Sequence, residues 1–149
     1  MLTNPQIKLF RSLHTKKGRR EHKKFIIEGH RIIDEAFRSN QKFYSLWCTE
    51  AYTRKNVEFL DLLKKANIKI SLASEQSLSK ICNSQNNQGI IAIFNLPINS
   101  KFIINESPVL IIDNISDPGN MGTILRTAEW FGIKNIILSR NCVDPYNSK

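Results

Sequence analysis

A chain of 149 residues with 41% hydrophobic and 23% charged side chains has a globular composition, not a disordered one. No apolar run approaches the ~20 residues that span a bilayer, and Cys48, Cys82 and Cys142 contain no C-x-x-C pair, so neither a disulfide frame nor a zinc site is supported. The net charge is +9 and uneven: residues 1–31 hold nine Lys/Arg against two Glu, most of them in His14–Lys24, a density that attracts phosphate backbones by counterion release.

The N-terminus, MLTNPQIKLFRSL, has no continuous apolar core and no small-residue cleavage site, so it does not read as a secretory signal. Unpaired, widely spaced cysteines suit reduced thiols and a cytoplasmic location. Asn4-Pro5 starts a short helix with Ile7, Leu9, Phe10 and Leu13 as its apolar residues. The basic stretch around Gly18 reads as a loop or frayed turn. Lys24–Glu28 is a strand, Gly29 a turn, and Arg31–Arg38 a helix with Ile32, Ile33, Ala36 and Phe37 inward. Phe43–Cys48 is an aromatic-rich strand. Asn56–Ala66 is a helix with Val57, Leu60, Leu63 and Phe59 on its apolar face. Ile68–Leu72 alternates as a strand does. Ser74–Ile81 is a short helix, and Gly89–Phe94 a continuous apolar strand of the buried kind. Strands alternating with helices predict an α/β layered domain.

Leu96–Pro108 breaks this pattern, with prolines near both ends and polar residues between, as a linker does. After it come the strand Val109–Asp113, the helix Asn120–Phe131, its stop at Gly132, and the strand Asn135–Ser139. That is one βαβ unit, the opening of a parallel sheet. With two open edges and little core, residues 108–149 by themselves should be marginally stable and prone to pairing with other chains.

The stretch Asp113–Arg126, DNISDPGNMGTILR, carries the most chemistry. Asp117 suits an N-cap and Pro118 the first helical position. Gly119 and Gly122 remove side chains where something approaches the backbone. Arg126 lies one turn after Gly122 and projects from the face that Gly122 leaves bare. Loops at the carboxyl ends of strands are where α/β folds bind ligands. On periodicity alone Arg126 pairs with Glu129 at i+3, and Asn120 is a turn residue of a common kind.

This segment resembles motif 1 of the SpoU/TrmH class of RNA 2′-O-ribose methyltransferases, in the SPOUT superfamily of knotted enzymes. The matching residues are Asn114, Asp117-Pro118, Asn120, Gly122 and Arg126-Thr127-Ala128. KFIIEGHRIIDEAF (Lys24–Phe37) looks like the signature that opens the family's substrate-binding domain, and QGIIAIF (Gln88–Phe94) like the strand that closes it. The order is right and nearly the whole chain is covered.

The resemblance implies an RNA substrate-binding domain over 1–96, a linker over 97–107, and over 108–149 the first βαβ unit of a trefoil-knot methyltransferase domain. Two later motifs of the family form the knot and bind S-adenosylmethionine, so the cofactor site is expected beyond this chain, which reads as the front part of an enzyme. Arg126 would activate the ribose and Asn120 would shape the cleft, with Asn114 contacting the loop or the substrate. A neutral guanidine is rarely available, so stabilising a developing alkoxide is easier for Arg126 than abstracting a proton.

Lys16, Lys17, Arg19, Arg20, Lys23, Lys24 and Arg31 form the expected phosphate-contacting set, with Glu28 structural or RNA-orienting. Phosphate contacts position RNA without selecting it. Selection by stacking would fall to Phe43, Tyr44, Trp47 or Tyr52, with a core role as the alternative for Phe43. His14, His22 and His30 lack metal-ligand spacing, and Cys142 near Asp144 has no histidine close in sequence. The implied partners are RNA, ribosomal rather than transfer, and a second copy in the full-length form, with no membrane. Two other readings stand beside the methyltransferase: a non-catalytic RNA-binding module, and an α/β enzyme using the 113–126 loop for another ligand.

Overall fold

The computed structural model describes residues 2–83, 87–97 and 108–147. The chain divides into two compact units, Met1–Leu96 and Pro97–Asn147. Apart from Pro97, the linker expected over 97–107 lies outside the described residues.

The first unit is a four-stranded sheet, with helices α1 (Asn4–Ser12), α2 (Lys16–His22), α3 (His30–Arg38), α4 (Glu50–Lys55), α5 (Val57–Lys65) and α6 (Glu75–Ser79). Its strands are β1 (Lys24–Glu28), β2 (Phe43–Cys48), β3 (Ile70–Leu72) and β4 (Ile90–Asn95), in the order β1-β4-β2-β3. β4 is antiparallel to both neighbours, and β2 and β3 are parallel. The last strand in sequence therefore sits inside the sheet. That explains why IIAIF is apolar at every position: both of its faces are covered.

Side chains alternate across a strand, and β4 shows the consequence. Ile90, Ala92 and Phe94 pack with Ile33, Tyr52, Phe59, Leu60 and Leu63 from α3, α4 and α5. Ile91 and Ile93 pack with Phe10, Leu13, Leu78 and Ile81 from α1 and α6 and the turns that follow them. Each fully buried Leu or Ile contributes about 1.5–3 kcal/mol by leaving water, so the two layers stabilise the sheet from both sides. The helices are capped by short polar side chains: Thr3 accepts from Gln6, Thr15 from Gly18, Thr49 from Tyr52 and Ser74 from Ser77.

Four expectations change here. The basic stretch is a helix, α2, not a loop. Gly18 permits it, because a Cβ there would stand 2.1 Å from the Ser12 carbonyl oxygen. An additional helix, α4, precedes α5. Ile32 and Val57, placed inward from the sequence, are 46% and 54% exposed.

The second unit contains β5 (Val109–Ile112), α7 (Pro118–Trp130) and β6 (Asn135–Leu138), with β5 and β6 parallel. Ile112, Met121 and Cys142 form its core cluster, flanked by Leu110, Leu125, Ile136 and Leu138, and Ala128 on α7 is buried as well. Val109, Ile111 and Ile137 alternate with these core positions and are exposed, as are Trp130 and Phe131.

Candidate active-site loop and nucleic-acid interface

In the second unit the chain leaves β5 through Asn114, whose φ is +54°. Asparagine tolerates this left-handed conformation better than most residues. The Asn114 N–H donates to Ser139 Oγ at 3.2 Å, and Ser139 N–H donates to the Ile112 carbonyl at 3.0 Å. The loop at the end of β5 is thus tied to the end of β6. Asp117 Oδ1 accepts from the Asn120 N–H at 2.7 Å, and Pro118 takes the first helical position. Both groups meet the needs of a helix start, where N–H groups lack intrahelical partners.

On α7, Gly122 stands in the open: a Cβ there would meet nothing within 4 Å. It borders a small cleft of about 70 Å³, lined also by Pro118, Met121, Leu125, Asp144 and Pro145. Arg126 is exposed one turn further on. Among the described residues it makes no hydrogen bond or ion pair, so the Glu129 pairing suggested by spacing is not formed. Residues four apart on a helix share a face, so Gly122 and Arg126 belong together. Asn120 precedes Arg126 by six residues, roughly 9 Å along the axis and about 120° around it. Helix geometry therefore sets Asn120 and Arg126 on different faces of α7. An unpaired guanidinium beside a bare backbone is suited to meeting an anion or a developing oxyanion.

The first unit brings its two glycine motifs together. Gly29 donates to the Ile90 carbonyl at 3.1 Å, and the His30 N–H donates to Gln88 Oε1 at 2.9 Å. Gly29 and Gly89 have φ of +101° and +75°. A Cβ on Gly89 would lie 2.8 Å from Thr49 Oγ1 and 3.1 Å from Tyr52 Cβ. These glycines serve a joint between β1, β4 and α4. The Tyr52 hydroxyl is hydrogen-bonded to His30 Nδ1, and burial pushes its acidity down.

Lys16, Lys17, Arg20, Lys23 and Arg31 are exposed, and Lys24 is half-buried. Arg19 departs from the expected phosphate set. It is 2% exposed and its Nη1 donates to the Leu13 carbonyl at 2.9 Å, so it braces the α1–α2 turn. Glu28 is also built into the fold. Its Oε1 accepts from the Asn83 N–H at 3.0 Å and lies 3.6 Å from His14 Nε2. Burial, then the Glu28 charge and its hydrogen bond, push the Cys82 thiol up to about 12. Of the aromatics weighed for stacking, Trp47 and Tyr52 are buried and Phe43 packs on the core, whereas Tyr44 is 53% exposed. The exposure of Tyr44 has a visible cause: the β2–β4 register shifts between Phe43 and Ser45.

Comparison with known proteins gives two family matches, to the MRM3-like substrate-binding domain over residues 4–92 and to the SpoU rRNA methylase family over residues 107–149. The 23S rRNA (guanosine(2553)-2'-O)-methyltransferase RlmP of Bacillus subtilis is 30% identical over 146 residues, covering 98% of this chain and 56% of that protein. An uncharacterized tRNA/rRNA methyltransferase of Synechocystis is 31% identical over 150 residues, covering 98% of this chain and 54% of that protein. The AdoMet-bound rRNA methyltransferase of Sinorhizobium meliloti superposes with a TM-score of 0.77 at 30% identity, covering 99% of this chain and 56% of that one. The chain thus spans about half the length of these relatives.

Proposed function

The chain belongs to the SpoU/TrmH family of RNA methyltransferases, with an MRM3-like substrate-binding domain ahead of its SpoU segment, and from this premise we propose that it serves methylation of a ribose 2′-hydroxyl in ribosomal RNA. The observation that carries the reading is the end of β5: an Asp117-capped helix that leaves Gly122 bare and holds Arg126 exposed and unpaired one turn on. In this reading the first unit captures RNA through Lys16, Lys17, Arg20, Lys23, Lys24 and Arg31. The backbone at Gly122 admits the ribose. The Arg126 guanidinium stabilises the 2′-oxygen as its charge develops, an effect strongest where water is excluded. Asn114 and Asn120 flank the same loop, with Asn120 on a different face of α7 from Arg126.

The proposed methyl donor is S-adenosylmethionine. The cleft beside Gly122, about 70 Å³, falls short of the ~300 Å³ at which small-molecule sites begin. That cleft therefore does not fit the cofactor, and no step here runs through it. The concentration of Lys/Arg in residues 1–31 equally suits a second reading, an RNA-binding module without transfer.

Arg126→Ala, placed at the chromosomal locus, separates the two. Ribose methylation mapped across ribosomal RNA should lose a site in the variant, while RNA affinity changes by less than about two-fold, since the residue acts on the transition state. Methylation at the parental level in that strain would sink the role assigned to Arg126. Unchanged methylation when the whole gene is deleted would favour the binding module.

A further inference from the structure

The first unit carries a cleft of about 550 Å³ at the amino-terminal ends of β2 and β3, lined among others by Lys42, Phe43, Tyr44, Asn67 and Lys69. We infer that this cleft takes one unpaired nucleobase of the RNA, stacked on Tyr44, with its flanking phosphates on Lys42 and Lys69. The inference rests on the RNA reading above and adds a site to it.

Four observations carry it. The register shift at Phe43/Ser45 takes Tyr44 out of the ladder; bulges of this kind re-aim a side chain. The ring is then 53% exposed, and it is an aromatic set in a cleft wall and not in the core. One ring face is already occupied, because Lys24 Nζ lies 4.3 Å from the ring centroid while 3.4 Å from the His22 carbonyl oxygen. A base on the opposite face completes a sandwich, the arrangement in which stacking and cation–π attraction reinforce one another.

The electrostatics give an orientation. Helices α3 and α5 end at this cleft, at Asn40 and Asn67, both left-handed stops with φ of +53° and +60°. Helix carboxyl ends carry partial negative charge. They repel a phosphate from the interior and welcome the N–H donors of a base. Lys42 and Lys69 are exposed and line the same cleft, so phosphates belong at its mouth. The cleft is therefore a base-in, phosphate-out site for single-stranded RNA, and a duplex, whose bases are stacked and paired, does not fill it.

The test uses the 149-residue chain with two fluorescein-labelled probes at one salt concentration: a ten-nucleotide oligouridine and a blunt RNA duplex of equal length. Tyr44→Ala should weaken oligouridine binding about ten-fold, the scale of one lost stack, and leave duplex binding within about two-fold. Tyr44→Phe keeps the ring and should bind as the parent does. A 4-thiouridine oligomer should crosslink to the peptide containing Phe43–Ser45. Parental oligouridine affinity in Tyr44→Ala, or equal losses on both probes, overturns the base site while leaving RNA binding by this unit intact. Failure of the parent chain to bind either probe removes the RNA reading itself and the base site with it.

Discussion

Gly122 and Cys82 each show what a single position contributes. Gly122 lies inside a helix, with open space where a Cβ would be. Alanine is better than glycine there by up to about 1 kcal/mol. Gly122→Ala should thus raise the urea midpoint of the second unit while lowering methylation, because the added methyl stands where the ribose is proposed to approach. A variant that gains stability and keeps full activity would show that the bare backbone has no part in the reaction. Cys82 is a question of proton affinity. Its thiol is pushed from 9.0 up to about 12, by burial first and by Glu28 second. The thiolate is the nucleophile, so raising the pKa leaves roughly 10³-fold less of it at pH 8, partly offset, about twenty-fold, by the greater reactivity of a more basic thiolate. Alkylation of Cys82 by iodoacetamide at pH 8 should run roughly fifty-fold slower than that of an unstructured cysteine peptide. The rate should keep rising with pH beyond 9, where a free thiol levels off. Glu28→Gln retains an acceptor for Asn83 and removes the charge, so it should speed the reaction. A parental rate equal to the peptide's would refute the shift.

At the scale of elements, what could be read from the sequence depended on whether a local signal or a distant partner decided the outcome. β1, β2 and the start of α7 are set by signals within a few residues: alternation or apolar runs, Gly29, and the Asp117-Pro118 pair. The basic helix α2 was hidden because its stability comes from outside its own sequence. It has no apolar stripe, and it depends on the Thr15 cap, the close approach of Gly18 to Ser12 and the buried Arg19. α4 was hidden for a related reason: only Tyr52 of its six residues is buried. Ile32 and Val57 lie on helices whose apolar periodicity is wider than the face the sheet covers. The candidate site divides in the same way. Asp117, Pro118 and Gly122 are local and were legible, as was an exposed Arg126. Arg19 reaches back over the α1–α2 turn to the Leu13 carbonyl, which charge density alone does not reveal, and the bond from the Asn83 N–H to Glu28, structural or RNA-orienting from the sequence, joins positions far apart in the chain. The re-aimed Tyr44 depends on a bulge that no sequence pattern marks.

The charge of the whole molecule is divided as sharply as its fold. Residues 1–96 hold seventeen Lys/Arg against eight Asp/Glu, and residues 97–149 hold five against five. The entire excess of +9 therefore belongs to the first unit, and the second is neutral. Such a division suits capture by one unit and chemistry by the other, because long-range attraction needs net charge whereas transition-state stabilisation needs one placed group. It also makes the two parts of recognition separable by salt. Each phosphate neutralised on a single strand contributes roughly −0.7 to the slope of log K against log salt. Lys16, Lys17 and Arg20 are exposed on α2. Replacing all three by alanine should flatten the slope for oligouridine by about 2. Tyr44→Ala removes stacking and no charge, so its line should run parallel to the parent's, displaced by a constant factor. Fluorescence anisotropy at four salt concentrations between 50 and 200 mM, about the range over which such slopes are resolved, distinguishes them. If the triple variant keeps the parental slope, α2 is a solvated basic face, and the phosphates are held elsewhere on the unit, at Lys23, Lys24 and Arg31 or at the mouth of the Tyr44 cleft.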